Sequence, residues 1–219
     1  MFFIVNIFIA LLISYLLGSF QTAYIFGKLV KKVDIRDYGS GNSGATNALR
    51  VFGPKFGALC LIIDALKGAI AVLIIKQLFG ADNVALQLVS GLAAILGHNH
   101  PFYMGFKGGK GVAASIGIIL AIDWRVFLIA AVPALIVLLL TRIMSIASMT
   151  FEFLTLIVFV VLYFSDSNFY YIVIAAALYP LISFYRHRGN IERLMSGTES
   201  KLWGNDKDKT KDKTKDKTE

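Results

Sequence analysis

Between two apolar segments, the stretch from Gly105 to Gly117, GFKGGKGVAASIG, carries two lysines, five glycines and a serine. A charge at membrane depth costs at least about 2.5–3.5 kcal/mol unless it lines a polar cavity or meets a counter-charge, so Lys107 and Lys110 are functional candidates. Glycines let backbone N–H groups close on an anion, and a helix starting after Lys110 would turn its positive end to the same point. The expected chemistry is an anion cradle, for phosphate. It is not a nucleotide P-loop: Met104 stands five residues before Gly109 where that motif has glycine, and Gly111 follows Lys110 where Ser or Thr would hold magnesium. The plainer alternative is a glycine-rich reversal with lysines marking the cytoplasmic face.

Two further polar stretches accompany it. Gly39 to Arg50, GSGNSGATNALR, has a composition for hydrogen bonding rather than for covering hydrophobic surface, and Arg50 offers a bidentate fork to phosphate or carboxylate. Arg186 to Glu199, RHRGNIERLMSGTE, adds arginines that topology alone would place there, but also His187 and Asn190, which topology does not require. His98 and His100 are spaced i, i+2 with no third ligand nearby, so no metal site is expected. The single cysteine, Cys60, sits in an apolar run and reads as a packing residue.

The elements that must hold these stretches are membrane helices. A 57% hydrophobic fraction and a mean hydropathy of +0.68 lie outside soluble usage. The formal net charge of +8 is carried between apolar runs and in the tail, which argues for topology signals and lipid contacts and against nucleic acid. Seven apolar runs are expected to form an all-α integral membrane protein: Phe2 to Ile25, Phe56 to Phe79, Leu86 to Gly97, Val112 to Ile122, Val126 to Leu140, Ile146 to Phe164 and Phe169 to Tyr185. With the N-terminus outside and the C-terminus cytoplasmic, the inner connectors hold 19 of the 22 lysines and arginines. A five-span alternative, with the two short runs forming one re-entrant element, leaves the polar stretches on the same side. Asp64 and Lys67 fall at i, i+3 and are expected to pair on one helix face. Residues 1–205 read as one polytopic domain, and 206–219, with its KDKT repeats, as a disordered charged tail.

SGNSGATNALR, GHNHPFYMGFKGGKGVAAS and RHRGNIERLMSGTE, in this order, resemble the three cytoplasmic motifs of the bacterial PlsY family, the acyl-phosphate:glycerol-3-phosphate acyltransferases; DALKG fits as well. The resemblance covers Phe2 to Glu199. It implies transfer of a fatty acyl group from acyl-phosphate to the 1-hydroxyl of glycerol 3-phosphate, giving lysophosphatidic acid and phosphate, without a cofactor, at the cytoplasmic side of the bacterial plasma membrane. The matching positions imply a catalytic set of Ser40, Lys110, His187 and Asn190. They imply phosphate or substrate binding by Asn42, Thr46, Arg50, Lys107, Gly108, Gly109 and Ser148. Glu199 is expected to be structural and outside the site, and Ser43 stands where many members have proline. The partners implied are the two phosphate substrates and membrane lipid, with a monomer as the unit. Arginines beside His187 are expected to depress its pKa, leaving a neutral imidazole, with the base being either His187 or the substrate's own phosphate. From composition alone, a small membrane anion or phosphate transporter remains the alternative.

Overall fold

The computed structural model describes residues 2–203, so the expected charged tail at 206–219 lies outside the described residues. Inside hydrocarbon a backbone can satisfy its N–H and C=O groups only within its own segment, and the apolar runs accordingly become helices. Four match the expected spans closely and are long and apolar enough to cross a membrane: α4 (Pro54–Phe79), α7 (Trp124–Thr141), α8 (Met144–Leu162) and α9 (Phe169–Arg186). Between α4 and α7 stand α5 (Val84–Asn99) and α6 (Val112–Ile122). Their 16 and 11 residues reach only about 24 and 16 Å at about 1.5 Å per residue, short of the roughly 30 Å of a bilayer core.

The first run departs from expectation. Phe2 to Ile25 is not one continuous pass: α1 (Phe2–Ser19) ends, and α2 (Thr22–Phe26) continues into a π-helical turn at Gly27–Lys31 after a 43° bend. Polar side chains make the break affordable. The Phe20 carbonyl accepts from Lys67 Nζ, the Ser19 carbonyl accepts from the Tyr103 hydroxyl at 2.9 Å, and the Gln21 N–H donates to that same hydroxyl at 3.1 Å. The Gln21 amide accepts from Ser43 Oγ at 2.9 Å and donates to the His98 carbonyl at 2.7 Å, tying the first and second motifs to one joint. The basic connector from Lys28 to Lys55 is likewise more than a linker. It holds a 3-10 turn at Ile35–Asp37 and a helix, α3 (Ala45–Phe52), joined to α4 by Gly53 alone, whose φ of +88° suits glycine.

Without a hydrophobic force between helices in lipid, close packing depends on small residues. Gly18 lies on Ala94 and Gly97 on the Tyr15 carbonyl where α1 meets α5, while Gly68 lies on Ala114 and Gly117 on Ala65 where α4 meets α6. Leu88, Ile118, Ile119, Phe159, Ile172 and Tyr179 fill the centre. Along α7, Leu128, Ile129, Val132, Leu135 and Leu139 stay exposed, as a lipid-facing surface requires. A last helix, α10 (Arg188–Met195), turns off the end of α9 at His187. This arrangement gathers α3, the start of α6, the start of α8 and the α9–α10 corner around one cavity.

Candidate active site

The first wall of that cavity is set by a residue that no motif reading singled out. Asn47, buried in the first turn of α3, accepts from the Ser40 N–H at 2.8 Å and donates to the carbonyls of Ile35, Tyr38 and Asn42 at 3.2, 3.0 and 2.9 Å. One side chain thus fixes the loop that carries Ser40 and Asn42. Thr46 and Arg50, on α3, complete this wall.

The second wall is the start of α6. Lys110, Gly111, Val112 and Ala113 line the cavity, so the helix N-terminus and the lysine meet there, as expected from the sequence. The glycine cradle takes a different form. The N–H groups of Gly108 and Gly109 are already committed, each at 3.0 Å, to the carbonyls of Asn99 and His98, and cannot serve an anion. Gly109 does not line this cavity; a Cβ there would collide with His98 Nε2, so glycine is required for close packing. Lys107 and Gly108 face a neighbouring cavity instead. The segment 107–110 lies outside any helix, and it leaves its two lysines on different cavities. Of the second motif's expected phosphate ligands, Lys110 alone lines the main cavity.

The third wall comes from α8, the α9–α10 corner and the segment beyond. Lys110 Nζ donates to Asn190 Oδ1, and Asn190 Nδ2 donates to Glu199 Oε1 at 2.6 Å. Glu199 also accepts from Ser145 Oγ at 2.8 Å and from Arg193 Nε at 2.7 Å. Glu199, expected outside the site, therefore stands on its wall as the counter-charge that orients Asn190, and Ser148 lines the same wall. His187 is buried, with its Nδ1 2.8 Å from the Ser183 carbonyl. A carbonyl only accepts, so Nδ1 carries the proton and Nε2 keeps the lone pair. Beneath the cavity the expected Asp64–Lys67 pair forms at 2.8 Å, with Thr22 Oγ1 donating to Asp64 and Lys67 Nζ lying 2.9 Å from His98 Nδ1.

The cavity holds about 530 Å³ and has two chemistries. Its polar end collects Ser40, Asn42, Thr46, Arg50, Lys110, Ser148, His187, Asn190 and Glu199. Its apolar end is a slot between α4, α6 and α7 lined by Leu61, Ile116, Leu135, Leu138 and Met144, of which Leu61 and Leu135 are also exposed on the outer surface.

The family model described as Glycerol-3-phosphate acyltransferase matches residues 8–197. The chain belongs to the glycerol-3-phosphate acyltransferase family. A relative of that name from Lactiplantibacillus plantarum is 46% identical over 196 residues, covering 89% of this chain and 91% of its own, and one from Halalkalibacterium halodurans is 45% identical over 200 residues, covering 90% and 95%. The crystal structure of PlsY (YgiH), an integral membrane glycerol 3-phosphate acyltransferase, in its glycerol 3-phosphate form matches with a TM-score of 0.82 at 38% identity, over 91% of this chain and 96% of that one. Its lysophosphatidic acid form matches with a TM-score of 0.78 at 36% identity, over 90% and 95%. The all-helical integral membrane fold is thereby that of the acyltransferase family.

For an acyltransferase of this family the protonation states matter. Burial pushes Lys110 down to about 8; Glu199 opposes that shift, while Arg193, Arg50 and Arg186 add to it. His187 is driven down to about 4, first by burial and then by Lys110, with Arg186 a small contributor. The neutral imidazole expected from sequence is thus present, but its main cause is enclosure rather than the flanking arginines. Burial works against ionisation of Glu199, yet hydrogen bonds from Asn190, Arg193 and Ser145 outweigh it and hold the carboxyl below its ordinary value. Asn47 and Glu199 were the residues sequence reasoning passed over. Five Ser, Thr and Asn side chains in one loop signal a hydrogen-bonded turn, but not which of them is its hub.

Proposed function

We propose that this chain transfers a fatty acyl group from acyl-phosphate to the 1-hydroxyl of sn-glycerol 3-phosphate, forming lysophosphatidic acid and phosphate. The observation that carries the reading is one cavity joining a cationic, donor-rich end to an apolar slot at the lipid-exposed flank. An amphiphilic donor needs both, with its chain among Leu61, Ile116 and Leu135 and its phosphate toward Lys110 and the α6 N-terminus. The acceptor and product follow the relative crystallised in its glycerol 3-phosphate and lysophosphatidic acid forms.

Acyl-phosphate is an activated mixed anhydride, so no protein nucleophile is called for. The 1-hydroxyl oxygen bonds to the acyl carbonyl carbon, the carbon–oxygen bond to phosphate breaks, and phosphate departs with the electron pair. Lys110 and Arg50 offset the charge on the two phosphates, while Ser40, Asn42, Thr46 and Ser148 supply hydrogen bonds that fix their orientation. Asn190, held by Glu199, positions Lys110. His187 orients the hydroxyl through Nε2. Its pKa of about 4 makes it a weaker base than a phosphate monoester, whose second pKa lies near about 6, so the hydroxyl proton passes to substrate phosphate.

Residues 1–205 act as one domain in the bacterial plasma membrane. The N-terminus is outside and seven helical segments, α5 and α6 the short ones, place the cavity at the cytoplasmic face; the distribution of lysines and arginines favours this orientation. A phosphate transporter would place its polar groups at midplane between repeats, whereas here they cluster at one end of the bundle. Donor choice tests the reading: purified protein is expected to form lysophosphatidic acid from glycerol 3-phosphate with palmitoyl-phosphate, but not with palmitoyl-CoA. Turnover with the thioester alone would overturn the assignment of the donor.

A further inference from the structure

Beside the reaction cavity lies a second one of about 500 Å³, lined by Arg36, Asp37, Asn42, His100, Lys107 and Arg186 together with Gly41, Phe106 and Gly108. The two share Asn42, and the segment 107–110 is the partition: Lys107 faces one cavity and Lys110 the other. The second cavity is built, not incidental. Arg186 Nη2 donates to the carbonyls of Gly108 and Gly109 at 3.2 and 2.7 Å, holding the partition in place. Arg36 is fixed by two hydrogen bonds to Asp34 and one to the Met104 carbonyl. Its charge is therefore partly offset, but two cations remain for a ligand. Neither Lys107 nor Arg186 has an ion pair among the described residues, and Lys107 makes no side-chain hydrogen bond there either. Asp37 lines the same cavity, a carboxylate that would repel a bare phosphate but accept hydrogen bonds from hydroxyls.

A pocket lined by two cations without ion pairs, a carboxylate and the amide of Asn42 matches a phosphomonoester that also carries hydroxyls. We propose that this cavity is a waiting site for the acceptor, glycerol 3-phosphate, from which the molecule passes across Asn42 into the reaction cavity. The inference rests on the function proposed above for the acceptor's identity, but not for the existence of the site. Phosphate binds at Lys107 and Arg186, and the glycerol hydroxyls bind at Asp37. The same glycerol phosphate chemistry occurs in the headgroup of phosphatidylglycerol, so the test must separate the free molecule from the lipid.

The experiment is calorimetric titration with sn-glycerol 3-phosphate, without acyl donor, of the full chain in phosphatidylcholine nanodiscs. Two sites per chain are expected for the wild type, and one for each of Lys107→Glu and Lys110→Ala, with none for the double variant. Lys107→Arg, which keeps the charge, is expected to restore the second site. Inorganic phosphate is expected to bind the Lys110→Ala protein at least tenfold more weakly than glycerol 3-phosphate does, because Asp37 then meets no glycerol hydroxyl. One site in wild type that Lys110→Ala abolishes would overturn the waiting site while leaving the reaction cavity intact. One site in wild type that survives in Lys110→Ala would instead contradict the reaction-cavity assignment and leave the second site standing. Repeating the wild-type titration in phosphatidylglycerol nanodiscs is expected to leave two sites; a fall to one would make the lipid headgroup the occupant and overturn the assignment to free acceptor.

Discussion

Lys110 is the group whose environment makes the sharpest statement about pH. In the folded chain its ammonium titrates at about 8 instead of the usual 10.5, because burial penalises the charge more than Glu199 restores it. A phosphate-binding lysine works only as the ammonium, and it is charged below its pKa. The kcat/KM for either phosphate substrate is therefore expected to be near maximal around pH 7, to halve by about pH 8, and to fall about tenfold per pH unit beyond that. The perturbation is Lys110→Arg, which keeps a cation but moves its pKa above about 12. The residual activity of the variant is expected to show no alkaline limb up to pH 9.5, whatever its absolute rate. Lys110→Ala, by contrast, is expected to lose about 10² to 10³ in rate at every pH, the usual cost of one transition-state charge partner. The assay is initial-rate formation of lysophosphatidic acid, corrected at each pH for spontaneous hydrolysis of acyl-phosphate. An alkaline limb that stays at about 8 in Lys110→Arg would show that another group causes it and refute the reasoning.

The other expectations follow from the same walls. Glu199→Gln removes the carboxylate that raises the Lys110 pKa, so the alkaline limb is expected to move below pH 8; a limb unchanged in position would mean Glu199 does not act through Lys110. His187→Gln is expected to keep partial activity and an acid limb near about 6, the substrate phosphate's own titration; near-total loss of rate with loss of that limb would make His187 the base. Arg50→Lys keeps the charge but not the planar fork, and about a tenfold rise in KM for one phosphate substrate is expected, with unchanged KM for both as the contrary result. Gly109→Ala is expected to lower activity and Tm together because its Cβ meets His98; a stable, fully active variant would show that the segment 107–110 can lift without cost.

Much of this was legible in the sequence because hydropathy and polar composition report directly on helices and cavities. The spans α4, α7, α8 and α9 followed from long apolar runs, that of α4 broken only by the Asp64–Lys67 pair and Lys76, and Lys110, Asn190, His187, Arg50 and Ser148 do meet in one cavity. The break after Ser19 was not legible: Phe20 and Gln21 look like the interior of an apolar run, and only Lys67 and Tyr103, 47 and 82 residues away from the groups they bond, make the bend affordable. The split between Lys107 and Lys110 was hidden for a different reason. Three residues apart on a helix they would share a face, but the segment 107–110 is not helical, and the hydrogen bonds of Gly108 and Gly109 to Asn99 and His98 hold its path. Glu199 was hidden because its partners Ser145, Asn190 and Arg193 come together only when the segment after α10 folds back toward the start of α8.

The most direct test is product formation by the purified chain in detergent, where no sealed compartment exists. With palmitoyl-phosphate and glycerol 3-phosphate, one lysophosphatidic acid is expected for each phosphate released, and the Lys110→Ala protein, folded by its Tm, is expected to yield neither above about a hundredth of that rate. Phosphate release without lysophosphatidic acid, or wild-type turnover in Lys110→Ala, would contradict the assignment of the reaction to this cavity.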